Sequence, residues 1–88
     1  MDISVVEILI KQCVTEALAL DEIQVKFDGS QCRIIAVSDL FDELSRVKRQ
    51  QAVLKPLAAL IKDGTVHAVS VKTYNNVQWQ RDKMFNSL

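Results

Sequence analysis

The sequence predicts an α+β fold, a two-layer sandwich in which a three-stranded mixed sheet carries helices on one face. Helical and alternating apolar patterns follow one another along the 88 residues in the order αββααβα. A short turn joins the first two strands, whereas helices separate the second strand from the third. The third strand therefore crosses over and can run parallel to a neighbour. A chain of this length builds one modest core, so we expect a single domain over residues 1–88.

The first helix is predicted from Ser4 to about Leu20. Ser4 and Glu7 have the spacing of a capping box, and Ile3 and Ile8 have that of a hydrophobic staple. An apolar stripe at helical spacing comprises Val6, Leu9, Ile10, Cys13, Ala17 and Leu20. We expect this stripe to pack against the rest of the fold.

Residues 23–27 and 32–37 predict a β-hairpin, because apolar residues alternate in the first and β-branched residues are common in the second. The turn chemistry lies between them, at residues 28–31. A turn centred on Gly29 and Ser30 places Phe27 opposite Cys32 and points Cys32 towards the core. A slip of one residue would reverse that direction, and the sequence leaves both registers open.

A helical pair is predicted next. Ser38 can cap a short segment, and Ser45 can cap a longer helix from residue 46 to about residue 63. Pro56 lacks a backbone N–H, so we expect a bend or a break there. Gly64 suits the left-handed conformation that ends a helix. The longer helix has an apolar stripe made of Val47, Leu54, Leu57, Ala58 and Ile61.

The third strand is predicted from Val66 to Thr73. Its alternation places His67, Val69 and Val71 on the core face. His67 is the only histidine of the chain.

A short last helix is predicted after the third strand. Asn75 or Asn76 can cap it, and Trp79 together with either Met84 or Phe85 is expected to anchor it to the body.

Composition limits the classes of function. The 11 basic and 11 acidic residues cancel, so nucleic-acid binding would require a local patch. Two cysteines do not form a disulfide framework, which favours a reducing compartment. Acidic residues stand near the start, and no apolar run reaches the roughly 18 residues of a membrane span. We therefore expect a cytoplasmic protein.

The sequence does not predict an enzyme. The chain has two glycines, both explained by turns, and no glycine-rich phosphate loop. No second base is placed near a serine or cysteine to form a catalytic pair with the single histidine.

His67 and Cys32 are the candidates for metal chemistry. His67 is either a core histidine whose ring nitrogens are satisfied locally or a metal ligand, and periodicity does not separate the two. Cys32 is either a small buried apolar residue or a soft thiolate ligand. Two ligands do not complete a four-coordinate site, so a metal site would also need a partner.

The basic residues Arg46, Lys48 and Arg49 form a second candidate site. Positive charge in the first turn of a helix opposes the macrodipole, and such local conflicts are common at functional sites. These side chains either pair with the acidic residues just upstream or meet an anion. The anion would be the phosphate of a nucleic acid or a glutathione carboxylate.

Four segments in order resemble the BolA family and, within it, the IbaG-type bacterial branch. They are Phe27-Asp28-Gly29-Ser30, residues 41–51, residues 66–72 and Trp79. The resemblance implies a class II KH-like fold. It also implies a non-enzymatic partner of monothiol glutaredoxins, acting in iron–sulfur trafficking or in iron or stress regulation. The two proteins would share a [2Fe-2S] cluster whose other ligands are the glutaredoxin cysteine and glutathione, and the isolated chain would hold none.

The resemblance also assigns ligands. His67 occupies the position of the characteristic histidine ligand of the family. A second ligand in the family comes from the loop between the first two strands, where similar proteins tend to have histidine. Here Gln31 stands at that place and Cys32 follows it, so Cys32 is the candidate second ligand.

A second function is left open by the resemblance, because the family includes proteins described as transcriptional regulators. In this alternative, Arg46, Lys48 and Arg49 contact DNA or RNA. The missing Gly-x-x-Gly clamp of RNA-binding KH modules and the zero net charge count against it. Alone, the chain is expected to be a monomer or a weak homodimer.

Overall fold

The computed structural model describes residues 2–85 and confirms the α+β class. The helices of this part of the chain are α1 (Ile3–Ala17), α2 (Arg46–Leu54), α3 (Ala58–Lys62) and α4 (Asn76–Asp82). The strands are β1 (Glu22–Phe27), β2 (Gln31–Val37) and β3 (Ala68–Tyr74). Two 3₁₀ segments, Asp39–Glu43 and Lys55–Leu57, flank α2. None of the described helices is long and apolar enough to cross a membrane.

The sheet has the order β1-β2-β3, with β1 and β2 antiparallel and β2 and β3 parallel. The predicted mixed sheet is therefore confirmed. Phe27 lies opposite Cys32 and Val25 lies opposite Ile34, so the hairpin has the predicted register without a slip. Cys32 consequently points into the core, where its side chain is 1% exposed.

Helix α1 begins one residue earlier than predicted, and the capping box at Ser4 is wrong. The carboxylate of Asp2 accepts a hydrogen bond from the Ser4 backbone N–H at 2.9 Å and is the N-cap. Glu7 is thereby free to reach β1, where its carboxylate accepts the backbone N–H of Phe27 at 3.3 Å. The helix ends at Ala17, and its buried side chains are Val6, Ile10 and Val14.

The predicted caps and break of the helical pair are confirmed. Ser38 and Ser45 cap the first 3₁₀ segment and α2, and Pro56 lies in the 3₁₀ turn between α2 and α3. Most of the stripe predicted on the longer helix is turned away from the core. The residues that α2 and the 3₁₀ turn after it bury are Val53 and Leu57, one helical turn apart. Of the predicted stripe, Leu57 is buried and Leu54 half-buried, whereas Val47, Ala58 and Ile61 are exposed.

The helices do not all lie on one face of the sheet, which corrects the prediction. The main core joins α1, α2 and α3 residues to the face of β2 that carries Cys32 and Ile34. Trp79 of α4 packs instead with Ile35 and Val37, which point to the opposite face. Sequence periodicity missed this because residues 34–37 of β2 are buried on both faces.

Of the three residues predicted to anchor the last helix, only Trp79 is buried. Asn75 caps α4 and forms a capping box with Gln78. Met84 and Phe85 follow the helix and are each 85% exposed, so the predicted second anchor is wrong.

Candidate functional site

His67 precedes strand β3 and is exposed, so its predicted place on the core face of the strand is wrong. The preceding residue, Val66, is 1% exposed and packs in the core. The chain then bends at His67 before β3 begins at Ala68. Because Val66 takes the inward position, the imidazole of His67 is presented to solvent.

The backbone of His67 is held by the β1–β2 turn. Its N–H donates to the Ser30 carbonyl at 2.9 Å, and the Ala68 N–H reaches the same oxygen at 3.4 Å. The turn is itself fixed, because the Asp28 carboxylate accepts the backbone N–H groups of Gln31 at 2.7 Å and Ser30 at 2.9 Å. These bonds lower the pKa of the Asp28 carboxyl. The imidazole therefore projects from a rigid junction between the turn and β3.

The turn offers His67 no soft ligand at the surface. Gln31 is exposed and pairs with Ala68, the residue next to His67. Cys32 lies one position further and faces the core. Burial, and secondarily the charge of Glu7, raises the pKa of the Cys32 thiol to about 11. The structure thus does not bring the Cys32 thiol to the surface that His67 occupies, and its role as a ligand stays a prediction.

No group of three histidine, cysteine, aspartate or glutamate side chains within residues 2–85 could hold a metal ion. The donor that the structure offers at this junction is one exposed imidazole. An imidazole is a good ligand for iron, but one protein ligand does not hold a cluster. The residues present fit a site that a second protein completes.

The predicted basic residues lie at the start of α2. The side chain of Ser45 accepts the Lys48 N–H at 3.3 Å, and the Arg49 Nε donates to the Leu44 carbonyl at 2.9 Å. In the described part of the chain, none of the three basic side chains forms an ion pair with an upstream acid. Asp39 and Asp42 instead accept hydrogen bonds from the residues that start α4.

Two of these basic residues line a cleft of about 360 Å³ with cations from other elements. Arg46 and Arg49 contribute from α2, Lys72 from β3 and Arg81 from α4, whereas Lys48 does not line it. Sequence reasoning missed Lys72 and Arg81, because the cleft depends on where α4 docks. The outward-facing position of Lys72 in β3 was the only local signal.

Comparisons with known proteins identify the family of this chain and agree with its fold. The BolA-like protein family matches residues 14–78, and the chain belongs to the BolA family. It is 47% identical over 77 residues to the acid stress protein IbaG of Escherichia coli. This alignment covers 88% of this chain and 92% of that protein. Among solved structures, mouse BolA1 aligns with a TM-score of 0.77 at 22% identity, over 89% of this chain and 71% of that one. The BolA domain of Arabidopsis thaliana SufE1 aligns with a TM-score of 0.71 at 22% identity, over 81% and 92%.

The raised pKa of Cys32 predicts a loss of stability in alkali. In the folded protein the thiol keeps its proton to about pH 11, whereas in the unfolded chain it loses it near its ordinary value of 9.0. The unfolded state then binds fewer protons, so the free energy of unfolding falls between these two pH values, by up to about 1.4 kcal/mol per pH unit. Well below pH 9 the Cys32 thiol is protonated in both the folded and the unfolded state, so its contribution to the free energy of unfolding does not change with pH.

Urea unfolding from pH 8 to 11 checks this, with Cys32→Ala as the control. We expect the wild-type protein to lose more stability than the variant over that interval, because only the wild type has the buried Cys32 thiol and all other ionisable groups are shared. Parallel curves for the two proteins would show that the thiol ionises freely in the folded state.

Proposed function

We propose that this protein is a non-enzymatic partner of a monothiol glutaredoxin and binds a shared [2Fe-2S] cluster through His67. The observation that carries the proposal is the exposed imidazole on a backbone fixed to the β1–β2 turn. Membership of the BolA family supports it. We place the protein in the cytoplasm, in iron–sulfur trafficking or in iron or stress regulation.

The chemistry of the proposal requires little of this chain. The imidazole of His67 would supply one ring nitrogen as an iron ligand, and the hydrogen bond from the His67 N–H to the Ser30 carbonyl fixes the backbone that carries the ring. The cysteine of the glutaredoxin and glutathione would supply the other ligands. Since Cys32 is buried and protonated at neutral pH, the proposal uses His67 as the ligand from this chain.

Reconstitution tests the proposed function. The purified protein is mixed under anaerobic conditions with a monothiol glutaredoxin, glutathione, ferrous iron and sulfide, and the products are separated by size. We expect a coloured complex that contains one copy of each protein and whose visible circular dichroism differs from that of glutaredoxin alone. A cluster that elutes only with glutaredoxin would refute the proposal.

A second candidate function is nucleic-acid binding, and the basic cleft is the observation that favours it. Four cations, Arg46, Arg49, Lys72 and Arg81, line one cleft of a chain whose net charge is zero. One acid, Asp82, also lines the cleft and pairs with Arg81 at 3.4 Å, so the cleft keeps an excess of positive charge. Phosphate groups of DNA or RNA, or a glutathione carboxylate, would suit it. Lys48 would contribute from outside the cleft.

Replacing Arg46, Lys48 and Arg49 together by alanine is expected to weaken retention of DNA and RNA at low salt. Each lost phosphate contact should reduce the slope of log affinity against log salt by about 0.7 to 0.9. Fluorescence anisotropy with single- and double-stranded oligonucleotides at several salt concentrations measures this slope. The matched control is Lys11→Ala with Lys55→Ala and Lys62→Ala, which removes three cations outside the cleft.

If the two triple variants retain nucleic acid equally, the cleft has no special role and this candidate function is dropped. A selective loss in the cleft variant supports it.

A further inference from the structure

Helices α2 and α3 carry an exposed groove that is distinct from both candidate sites. Its volume is about 570 Å³, and it is lined by Gln51, Leu54, Lys55, Ala58, Ile61 and Lys62. Leu54, Ala58 and Ile61 follow helical spacing and supply the apolar lining. The 3₁₀ turn at Pro56 lies between the first two of them, so the groove extends across the break between α2 and α3.

The fold uses only part of the apolar lining. Val53 and Leu57 fill the core from α2 and the 3₁₀ turn after it, and Leu54 packs against that core, whereas Ala58 and Ile61 are exposed. Ile61 remains 39% exposed, and Val47, one turn before the groove, is 64% exposed. Single exposed apolar residues are ordinary, but apolar side chains that share one groove are typical of a binding surface.

The charge around the groove indicates what binds there. Residues 46–62 contain five basic residues and no acidic one, in a chain that is neutral overall. Two of the five, Lys55 and Lys62, border the apolar lining. An occupant that places apolar side chains in the groove and carboxylates beside these ammonium groups would satisfy both features.

We propose that this groove binds an acidic amphipathic helix of a partner protein. The apolar side chains of such a helix would contact Leu54, Ala58 and Ile61, and its flanking carboxylates would face the two lysines. A second copy is a poorer occupant through α1. Of the two charged residues beside its exposed Ile8, Lys11 has the same charge as the groove, and the Glu7 carboxylate already accepts the Phe27 backbone N–H. Nucleic acid gains nothing from an apolar lining.

Nuclear magnetic resonance with the full ¹⁵N-labelled chain tests the proposal without glutaredoxin or cluster, so the outcome is independent of the proposed function. The probe is a helical peptide of about 16 residues with leucines at positions i, i+3, i+4 and i+7 and flanking glutamates. Its matched control has lysines in place of the glutamates. We expect the glutamate peptide to shift the amide signals of residues 51–62 and to bind about tenfold more tightly than the lysine peptide.

Variants connect the binding to the groove. Ile61→Asp should lower the affinity for the glutamate peptide about tenfold or more. Ile8→Asp, on the exposed side of α1, should leave that affinity unchanged. Lys55→Glu with Lys62→Glu should reverse the preference between the two peptides. All four substituted side chains are exposed, and thermal unfolding by circular dichroism checks that each variant is folded.

Five results would overturn the proposal. The peptides bind equally, or the signals that shift lie outside the groove. Ile8→Asp weakens binding as much as Ile61→Asp. Sedimentation shows a dimer that Ile61→Asp dissociates, so that a second copy fills the groove. Vesicles containing one-third phosphatidylglycerol bind the protein through Ile61 while the peptide does not bind, so that a lipid surface fills it.

Discussion

Replacing His67 by alanine is expected to change the visible absorption and circular dichroism of the cluster complex formed with glutaredoxin. The variant removes the exposed imidazole from the junction of the β1–β2 turn with β3. Changing residues that only support a metal ligand typically lowers metal affinity on the order of 10- to 100-fold, so loss of the ligand should cost at least that. The mixed complex should then give way to cluster bound by glutaredoxin alone, as measured by size-exclusion chromatography with absorbance detection.

The fold should tolerate this change. The His67 side chain is exposed, and the hydrogen bond to the Ser30 carbonyl comes from the backbone, which alanine retains. We therefore expect the free energy of unfolding of His67→Ala to stay within about 0.5 kcal/mol of wild type. A lost complex in a folded variant can be assigned to the ring nitrogens.

Two control variants examine the β1–β2 turn. Gln31→Ala removes the exposed side chain beside His67, and Cys32→Ala removes the buried thiol. Both should leave the spectrum of the complex unchanged, although Cys32→Ala should cost about 1 kcal/mol of stability for the small cavity. If Cys32→Ala loses the complex while folded, Cys32 leaves the core on binding and becomes the second ligand. If His67→Ala keeps the wild-type spectrum, His67 is not a ligand.

The elements that the sequence predicted correctly are those specified by local chemistry. Ser38 and Ser45 cap the first 3₁₀ segment and α2 because their hydroxyls meet nearby N–H groups, and Pro56 breaks its helix because it lacks one. The hairpin register results from the turn at residues 28–31 and the pairing of apolar residues. The inward direction of Cys32 comes with that register.

Apart from the N-cap of α1, which is Asp2 and not Ser4, the features that the sequence did not predict depend on tertiary packing. His67 has the period of a core residue, but burial of Val66 moves the start of β3 and turns His67 outward. The basic cleft forms where β3 and α4 meet α2, which brings Lys72 and Arg81 to Arg46. Periodicity reports which residues of one element share a face. It does not report which face another element covers.

Replacing Trp79 by alanine is expected to produce the largest loss of stability among these variants, about 3 to 5 kcal/mol. Trp79 is 4% exposed and packs on Ile35 and Val37, and its ring lies 5.3 Å from that of Tyr74. It is the buried residue of α4, so its removal leaves this face of the sheet without its cover. The total free energy of unfolding of a domain of this size is typically about 5 to 15 kcal/mol, so the variant should unfold at a much lower urea concentration than the wild type.

The matched control is Phe85→Ala, three residues after the end of α4. Phe85 is 85% exposed, so its truncation should change stability by less than about 0.5 kcal/mol. Hydrogen exchange distinguishes two origins of the loss in Trp79→Ala. If α4 is part of the cooperative fold, amides of β2 lose protection together with those of α4, because Ile35 and Val37 become exposed. If only α4 amides lose protection and the urea midpoint stays at its wild-type value, the second face of the sheet does not need the helix, and the apolar residues of β2 would then require another cover.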